Sequence, residues 1–252
     1  MGTNDEILDS KVNEIIKIGK YLWERKIVFG NDGNISTKID SCNILITGSG
    51  TNLGFLEKND IVKVDINSTL QSNIEIKKPS SELNLHISCY KSNSLINAVV
   101  HTHPSYATAL STISKGIIDP ILTNIVIQFG KIPVIPYATP ASEEIGQVIA
   151  SYVKNKYRAM ILEHHGAIAL GYSLFDAYCI TEQIENLSKT VLIAKKFGIP
   201  RCIRKKDIKK LMLLRARFGI DSPYPKVPNI LMCSRNEFVR SIGYHINKLN
   251  GD

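Results

Sequence analysis

The sequence predicts a layered α/β protein, an α+β or sandwich arrangement rather than a doubly wound fold. Short strand-like runs cluster near the start and again past the middle, and helical periodicities fall between them without strict βα alternation. A length of 252 residues fits one large domain better than two small ones. With 44% hydrophobic and 21% charged residues, the chain has the balance of an ordinary globular protein.

The elements follow in order. Leu8, Val12, Ile15, Ile16, Gly19, Leu22 and Trp23 recur at helical spacing, so the chain opens with a helix capped by Asn4 or Asp5. Gly30-Asn31-Asp32-Gly33 breaks it. Ile35–Asp40 and Ile44–Thr47 form a hairpin through Ser41-Cys42-Asn43. A glycine-rich loop over 48–54 leads to a strand at Ile61–Ile66. The next helix is expected to start at Ser80 or Ser81. Ile96–His101 is a short apolar run bounded by polar residues, hence a buried strand, and Pro104 suits the first turn of a following helix. Ile132–Pro136 reads as a strand and Ser142–Val153 as a helix. Met160–His165 and Ala167–Leu170 read as strands around Gly166. Ser173, with Asp176 three residues on, makes a capping-box start for a long helix stopped by Gly198 and Pro200. Beyond 200 come a basic helix, a crossing rich in proline (Pro223, Pro225, Pro228) and a last short helix.

Composition narrows the function classes. The net charge is +8, and nearly all of it sits between Arg201 and Arg217, where four Arg and four Lys face only Asp207. That concentration reads as a solvated helix face; no aromatic interleaving or base-reading motif accompanies it, so nucleic acid is not an expected partner. The apolar stretches near 118–129 and 158–163 are broken by polar residues or too short for a bilayer, so no membrane association is expected. The polar run Gly2–Asp9 does not resemble a signal or transit peptide. Five scattered cysteines, none spaced as C-x-x-C, suggest neither a disulfide framework nor a thiolate zinc site, and point to a reducing cytoplasm.

Histidines carry the chemistry. In His101-Thr102-His103, residues i and i+2 of a strand share a face, so both imidazoles can address one metal ion. His164-His165-Gly166 follows another strand; neighbours on a strand face opposite ways, so one of the pair can join the first two, and Gly166 permits a tight turn or a close approach. Three imidazoles leave a coordination position open for substrate, as a catalytic site requires. Ser80-Ser81-Glu82 suits a helix start by capping and by the helix dipole, and the same geometry can bind phosphate or place Glu82 as a proton acceptor beside a metal. His86 and Tyr90 lie one and two turns along the face of Glu82, as packing or supporting groups rather than ligands. Gly33-Asn34 and Thr47-Gly48-Ser49-Gly50 are small-residue loops whose amides can cradle an anion, though neither is a P-loop or a dinucleotide fingerprint.

Together these pieces resemble the class II aldolase/adducin-head family, which includes L-fuculose-1-phosphate aldolase and L-ribulose-5-phosphate 4-epimerase. The matching stretches are Gly33-Asn34-Ile35-Ser36, Ile46-Thr47-Gly48, Pro79-Ser80-Ser81-Glu82, Val99-Val100-His101-Thr102-His103, Pro136-Tyr137-Ala138-Thr139 and Glu163-His164-His165-Gly166. They keep the family's order and spacing over roughly residues 5–200. The resemblance implies a three-layer α/β/α sandwich around a mainly antiparallel central sheet. It implies a catalytic domain over 1–200, with 201–252 a basic helical extension packed on it. It also implies a homotetramer with active sites between subunits, and Zn²⁺ or a similar ion such as Mn²⁺ or Co²⁺. His101, His103 and His165 fall on the family's metal ligands. Glu82 falls on its catalytic carboxylate, which can also ligate the metal. Asn34, Thr47, Gly48, Ser80 and Ser81 fall on its phosphate pocket.

The activity implied is cleavage of a ketose 1-phosphate, such as L-fuculose 1-phosphate, to dihydroxyacetone phosphate and an aldehyde. The ion acts as Lewis acid and Glu82 moves the proton. A pentulose-phosphate 4-epimerase or a sugar-phosphate dehydratase would use the same site, and Pro104 directly after His103 is more aldolase-like than epimerase-like. An adducin-like assembly module would be expected to lose the histidines, and all three are present. Two features depart from fuculose-phosphate aldolase: no tyrosine occurs in Ile121–Phe129, and that enzyme's late tyrosine falls on Phe218.

Overall fold

The computed structural model describes residues 4–67, 77–218 and 220. The proline-rich crossing and the last short helix expected from sequence lie outside the described residues. Seven helices are described: α1 (Asn4–Glu24), α2 (Leu83–Ser92), α3 (Ser105–Ile113), α4 (Thr123–Gln128), α5 (Glu143–Lys154), α6 (Leu174–Phe197) and α7 (Lys205–Arg217). The strands are β1 (Asn34–Lys38), β2 (Asn43–Thr47), β3 (Ile61–Asp65), β4 (Ala98–Thr102), β5 (Gly116–Ile117), β6 (Pro133–Ile135), β7 (Ala159–Leu162) and β8 (Gly166–Gly171). They form one sheet in the order β3-β2-β1-β4-β8-β7-β6-β5. Only β6 and β7 pair in parallel; every other neighbouring pair is antiparallel.

Alternation along the central strands sends side chains into two separate cores. Ile35, Val100 and Ala169 pack with α1, α3 and α6 on one face. Ile44, Val99, Met160 and Ile168 pack with α2 and α5 on the other. Helices therefore cover both faces, and the expected three-layer α/β/α sandwich is the fold. The near-continuous apolar run of β4, buried at every position, follows from this double coverage.

Several elements differ locally from the sequence reading. Asn4 and Asp5 are already helical rather than capping. β1 ends at Lys38, because Asp40 Oδ1 accepts the amides of Cys42 and Asn43 and so closes the hairpin turn. Ser80 and Ser81 precede α2 instead of starting it: the Leu83 amide donates to Ser80 O in a separate turn. Pro104 stands one position before the first helical residue of α3. α4 and the two-residue β5 were not anticipated, being too short to show a period. β7 stops at Leu162, so Glu163-His164-His165 is a hairpin turn rather than strand. Ser173 does cap α6, its hydroxyl accepting the Asp176 amide. Among the described cysteines, Cys42, Cys89 and Cys179 are free, whereas Cys202 is disulfide-bonded, contrary to the expectation from spacing.

The basic segment is mostly a solvated face, as read from sequence, with one exception. Arg215 is buried, and its guanidinium donates to the carbonyls of Val126 and Ile127 at 3.3 and 2.6 Å. Those carbonyls belong to the last turn of α4, where a cation complements the helix dipole. This contact fastens α7 to α4. Arg215→Met keeps the apolar stem and removes the charged donor; it should cost about 1.5–3 kcal/mol. A lowered melting temperature, with faster amide exchange confined to α4 and α7, would be the corresponding observation.

Candidate metal centre

The centre of the sheet assembles the site. In the β1–β4 ladder Asn34 lies opposite His101, and in the β4–β8 ladder His101 lies opposite Ile168. Asn34, Ser36, Val99 and His101 therefore project toward α2, which presents Glu82, His86 and Tyr90 along its near face. His103 follows β4 by one residue, and His165 precedes β8 by one. The two strand ends are brought together by Gly166: a Cβ there would lie 2.4 Å from Thr102 O and 2.7 Å from His103 Cδ2. Close approach, one of the two roles expected of this glycine, is thus required. Gly33 is similarly constrained, with φ +84° and a Cβ position 2.9 Å from His101 O.

The three imidazole rings form a near-equilateral triangle with centroids 4.9, 4.8 and 4.8 Å apart. Glu82 closes the cluster: Oε2 is 3.1 Å from His101 Nε2, and Oε1 is 3.4 Å from His165 Nε2. One ligand atom from each of the four residues lies within 4.8 Å of all the others. His164 stays out, exposed, with φ +56° in the turn and its amide donating to Ser111 Oγ at 3.1 Å. Of the histidine pair only His165 turns into the cluster, through a left-handed turn residue and not through strand alternation.

Electrostatics shows what this set is fitted to hold. Burial disfavours ionisation of Glu82, yet the charge and hydrogen bond of His101, the Asn34 amide and the charge of His165 outweigh it and hold the carboxyl well below its usual range. His101 is likewise buried, and Glu82 overcomes that to raise its pKa. Burial and the positive charge at His101 lower His165 to about 4, and both also lower His103. His101 Nδ1 is 2.9 Å from the carbonyl of Ala167, an acceptor only, so Nδ1 carries a proton and Nε2 faces the cluster. His103 Nε2 lies 3.0 Å from His101 Nε2. Glu82 Oε1 is buried without a hydrogen-bond partner. Converging imidazole nitrogens beside an unsatisfied carboxylate oxygen fit a divalent cation.

A half-open cleft of about 120 Å³ adjoins the cluster, lined among others by Asn34, Gly48, Ser80, Ser81, Glu82 and His103. Of the residues read as a phosphate pocket, Thr47 does not line it; its side chain is buried and accepts the Ile35 amide at 3.1 Å. The amides of Gly48 and Ser80 are also committed, to Asp60 O and Thr47 O. Hydroxyl groups, not those amides, are what the cleft offers an anion. The sequence reading missed Asp32, whose carboxylate is 3.6 Å from His103 Nδ1, and the lining residues Asn31 and Thr51. Ser36 lay inside a matched motif but had no assigned role; its shared strand face with Asn34 was the available signal.

Three imidazoles at the ends of the central strands, with one carboxylate from the start of α2, give this α/β/α sandwich the donor set of a divalent-cation site. Residues 13–192 match the family described as Class II Aldolase and Adducin N-terminal domain, and the chain belongs to that family. It is 37% identical over 180 residues to an L-fuculose phosphate aldolase of Methanococcus maripaludis, covering 71% of this chain and 94% of that one. It is 32% identical over 184 residues to a 3-oxo-tetronate 4-phosphate decarboxylase of Pectobacterium atrosepticum, covering 71% and 83%. A solved structure of an L-fuculose 1-phosphate aldolase superposes with TM-score 0.73 at 28% identity, covering 83% of this chain and 96% of that one.

If the cluster is the metal centre, the purified protein holds about one divalent ion per chain. His101→Ala, His103→Ala and His165→Ala should each lose it in a metal-content measurement, and His164→Ala should keep it. Gly166→Ala should lower both occupancy and melting temperature, because the added methyl pushes β8 away from His103. Full occupancy in His165→Ala would remove that residue from the ligand set.

Proposed function

We propose that this chain is a divalent-metal-dependent aldolase that cleaves a ketose 1-phosphate to dihydroxyacetone phosphate and an aldehyde. L-Fuculose 1-phosphate or a similar deoxy-ketose phosphate is the substrate. The observation that carries this reading is Glu82 Oε1, a buried carboxylate oxygen with no hydrogen-bond partner, held ionised among three imidazoles beside a small polar cleft. A group so placed is available to accept a proton from a substrate carbon.

His101, His103 and His165, with Glu82, would hold the ion. Zn²⁺ suits that donor set, with Mn²⁺ or Co²⁺ as alternatives. The bound ion supplies Lewis-acid polarisation of the substrate carbonyl. In the condensation direction Glu82 removes the proton from C3 of dihydroxyacetone phosphate; in cleavage it returns the proton to C3 after the C3–C4 bond breaks. The hydroxyls of Ser80 and Ser81, in the cleft that Gly48 and Asn34 also line, hold the phosphate end and so fix which carbon meets Glu82. Thr47 contributes from behind, by tying β1 to the loop that carries Gly48. Assembly as a homotetramer belongs to the same reading and is supported by the exposed side chains of Phe55, Phe175 and Phe197.

One observation favours a second reaction on the same residues. No tyrosine occurs in Ile121–Phe129, and Phe218 occupies the position of the late tyrosine expected from the resemblance. A decarboxylation of a 3-oxo acid phosphate releases CO₂ in place of an aldehyde and needs no group to exchange a proton with an aldehyde oxygen. The 3-oxo-tetronate 4-phosphate decarboxylase relative gives this reading a concrete substrate class. Metal-loaded protein assayed against ketose 1-phosphates for dihydroxyacetone phosphate, and against 3-oxo acid 4-phosphates for CO₂, separates the two. Release of CO₂ alone would overturn the aldolase assignment.

Glu82→Gln keeps the shape and removes the charge. Loss of a helix-start dipole contact alone costs only about 0.3–1 kcal/mol of stability. Loss of a positioned base costs about 10²–10⁴-fold in rate. The variant should fold normally, turn over at least a hundredfold more slowly, and lose proton exchange at C3 of dihydroxyacetone phosphate, read by NMR in deuterated water. Parental exchange in Glu82→Gln would put the base elsewhere.

For the phosphate end, Ser81→Ala and Ser80→Ala should mainly raise KM for phosphorylated substrate, with metal content unchanged. Equal activity on phosphorylated and unphosphorylated sugars would contradict the pocket.

A further inference from the structure

We propose that a buried hydrogen-bond chain, Tyr90–Ser36–His86–Asn34, is a positioning device that holds Glu82 by Oε2 and thereby reserves Oε1 for proton transfer. The inference rests on the role given to Glu82 above and adds four residues to it. Tyr90 OH lies 2.7 Å from Ser36 Oγ, and Ser36 Oγ lies 2.6 Å from His86 Nδ1. His86 Nε2 lies 2.5 Å from Asn34 Oδ1, and Asn34 Nδ2 donates to Glu82 Oε2 at 2.8 Å. His86 and Ser36 have no solvent exposure, and Tyr90 and Asn34 have 3% and 5%.

The direction of every bond follows from the carboxylate at the end. An ionised carboxylate only accepts, so the Asn34 amide must turn Nδ2 toward Glu82 and Oδ1 toward His86. Oδ1 also only accepts, so His86 carries its proton on Nε2. His86 is wholly buried and its side chain meets only the neutral groups Asn34 and Ser36, so the ring is neutral and Nδ1 is an acceptor. Ser36 must then donate to Nδ1 and accept from Tyr90, whose burial raises its pKa and keeps it a donor. All four protons point toward Glu82, and bonds aligned in this way polarise one another.

The consequence is an asymmetric carboxylate. Oε2 is fixed by Asn34, with His101 Nε2 3.1 Å away, whereas Oε1 accepts no hydrogen bond and has His165 Nε2 3.4 Å away. Without the upstream donors the Asn34 amide is held at its Glu82 end alone, so its carbonyl end can swing and Oε2 loses a fixed anchor. Asn34 also lines the cleft. His86 is therefore a positioning residue that acts through Asn34.

Two measurements test this. In ¹⁵N-histidine-labelled protein, with the His86 signals assigned by their loss in His86→Gln, His86 should be the Nε2–H tautomer; an Nδ1–H tautomer would overturn the chain's direction. The second is a double-mutant cycle on C3 proton exchange of dihydroxyacetone phosphate. His86→Gln should slow exchange at least about tenfold in the parent, a misplacement effect, with metal content kept. In Asn34→Ala it should have no further effect. An equal loss in both backgrounds, or parental exchange in His86→Gln, would overturn the inference. Ser36→Ala, which removes one hydroxyl and leaves the imidazole, gives the same cycle if His86→Gln fails to fold. Exchange lost in Glu82→Gln but retained in His86→Gln fails this inference alone; exchange retained in Glu82→Gln fails both this and the proposed function.

Discussion

An ionised carboxylate removed from water loses several kcal/mol of hydration unless charges and donors replace it. Glu82 is 7% exposed, against the middle of an eight-stranded sheet, and is held ionised. Much of the surrounding architecture is explained by that one requirement. β4 supplies His101 as the nearest compensating charge, β1 supplies the Asn34 amide, and the β7–β8 turn supplies His165. The separation of the sheet's two cores lets this happen without disturbing the far face, where Ile35 and Val100 remain wholly apolar.

Backbone close approach is the second requirement, and it follows from the first. Side chains from β4, the β7–β8 turn and the start of α2 can meet only if β4 and the start of β8 nearly touch, which Gly166 permits. Gly33 does the same for the entry to β1. These glycines are therefore parts of the site, although neither offers a ligand atom. The left-handed His164 serves the same end, because it turns the chain so that His165 faces the cluster.

Polar groups further back extend the arrangement. Thr47 ties β1 to the cleft loop by accepting the Ile35 amide, and Ser111 accepts the His164 amide to hold the turn. The cleft itself is lined by small and hydroxyl-bearing residues, several of whose amides are already paired with backbone. A rigid cleft with rotatable hydroxyls suits an anionic group that must be oriented more than it must be bound tightly.

The sequence alone determined which side chains cluster and the layers that carry them. H-x-H in an apolar strand, H-H-G after another and S-S-E before a helix named the cluster, because strand and helix periods are local properties that a pattern of residue types records. Motif order supplied the family and the three-layer fold. Tertiary structure decided what those patterns could not carry. α4 and β5 are too short for a period to register, and the burial of Arg215 depends on carbonyls some ninety residues distant. Thr47 and Asn34 read as anion-pocket residues from sequence, and folding gave Thr47 the Ile35 amide and Asn34 the side chains of Glu82 and His86; Asp32 entered only when β4 brought His103 beside it. The polarity of the Tyr90–Ser36–His86–Asn34 chain is set by a carboxylate on another element, and no local window contains both ends. Residue types and spacing fix what each segment can form; which hydrogen bonds each polar group finally makes is fixed by the neighbours that folding delivers.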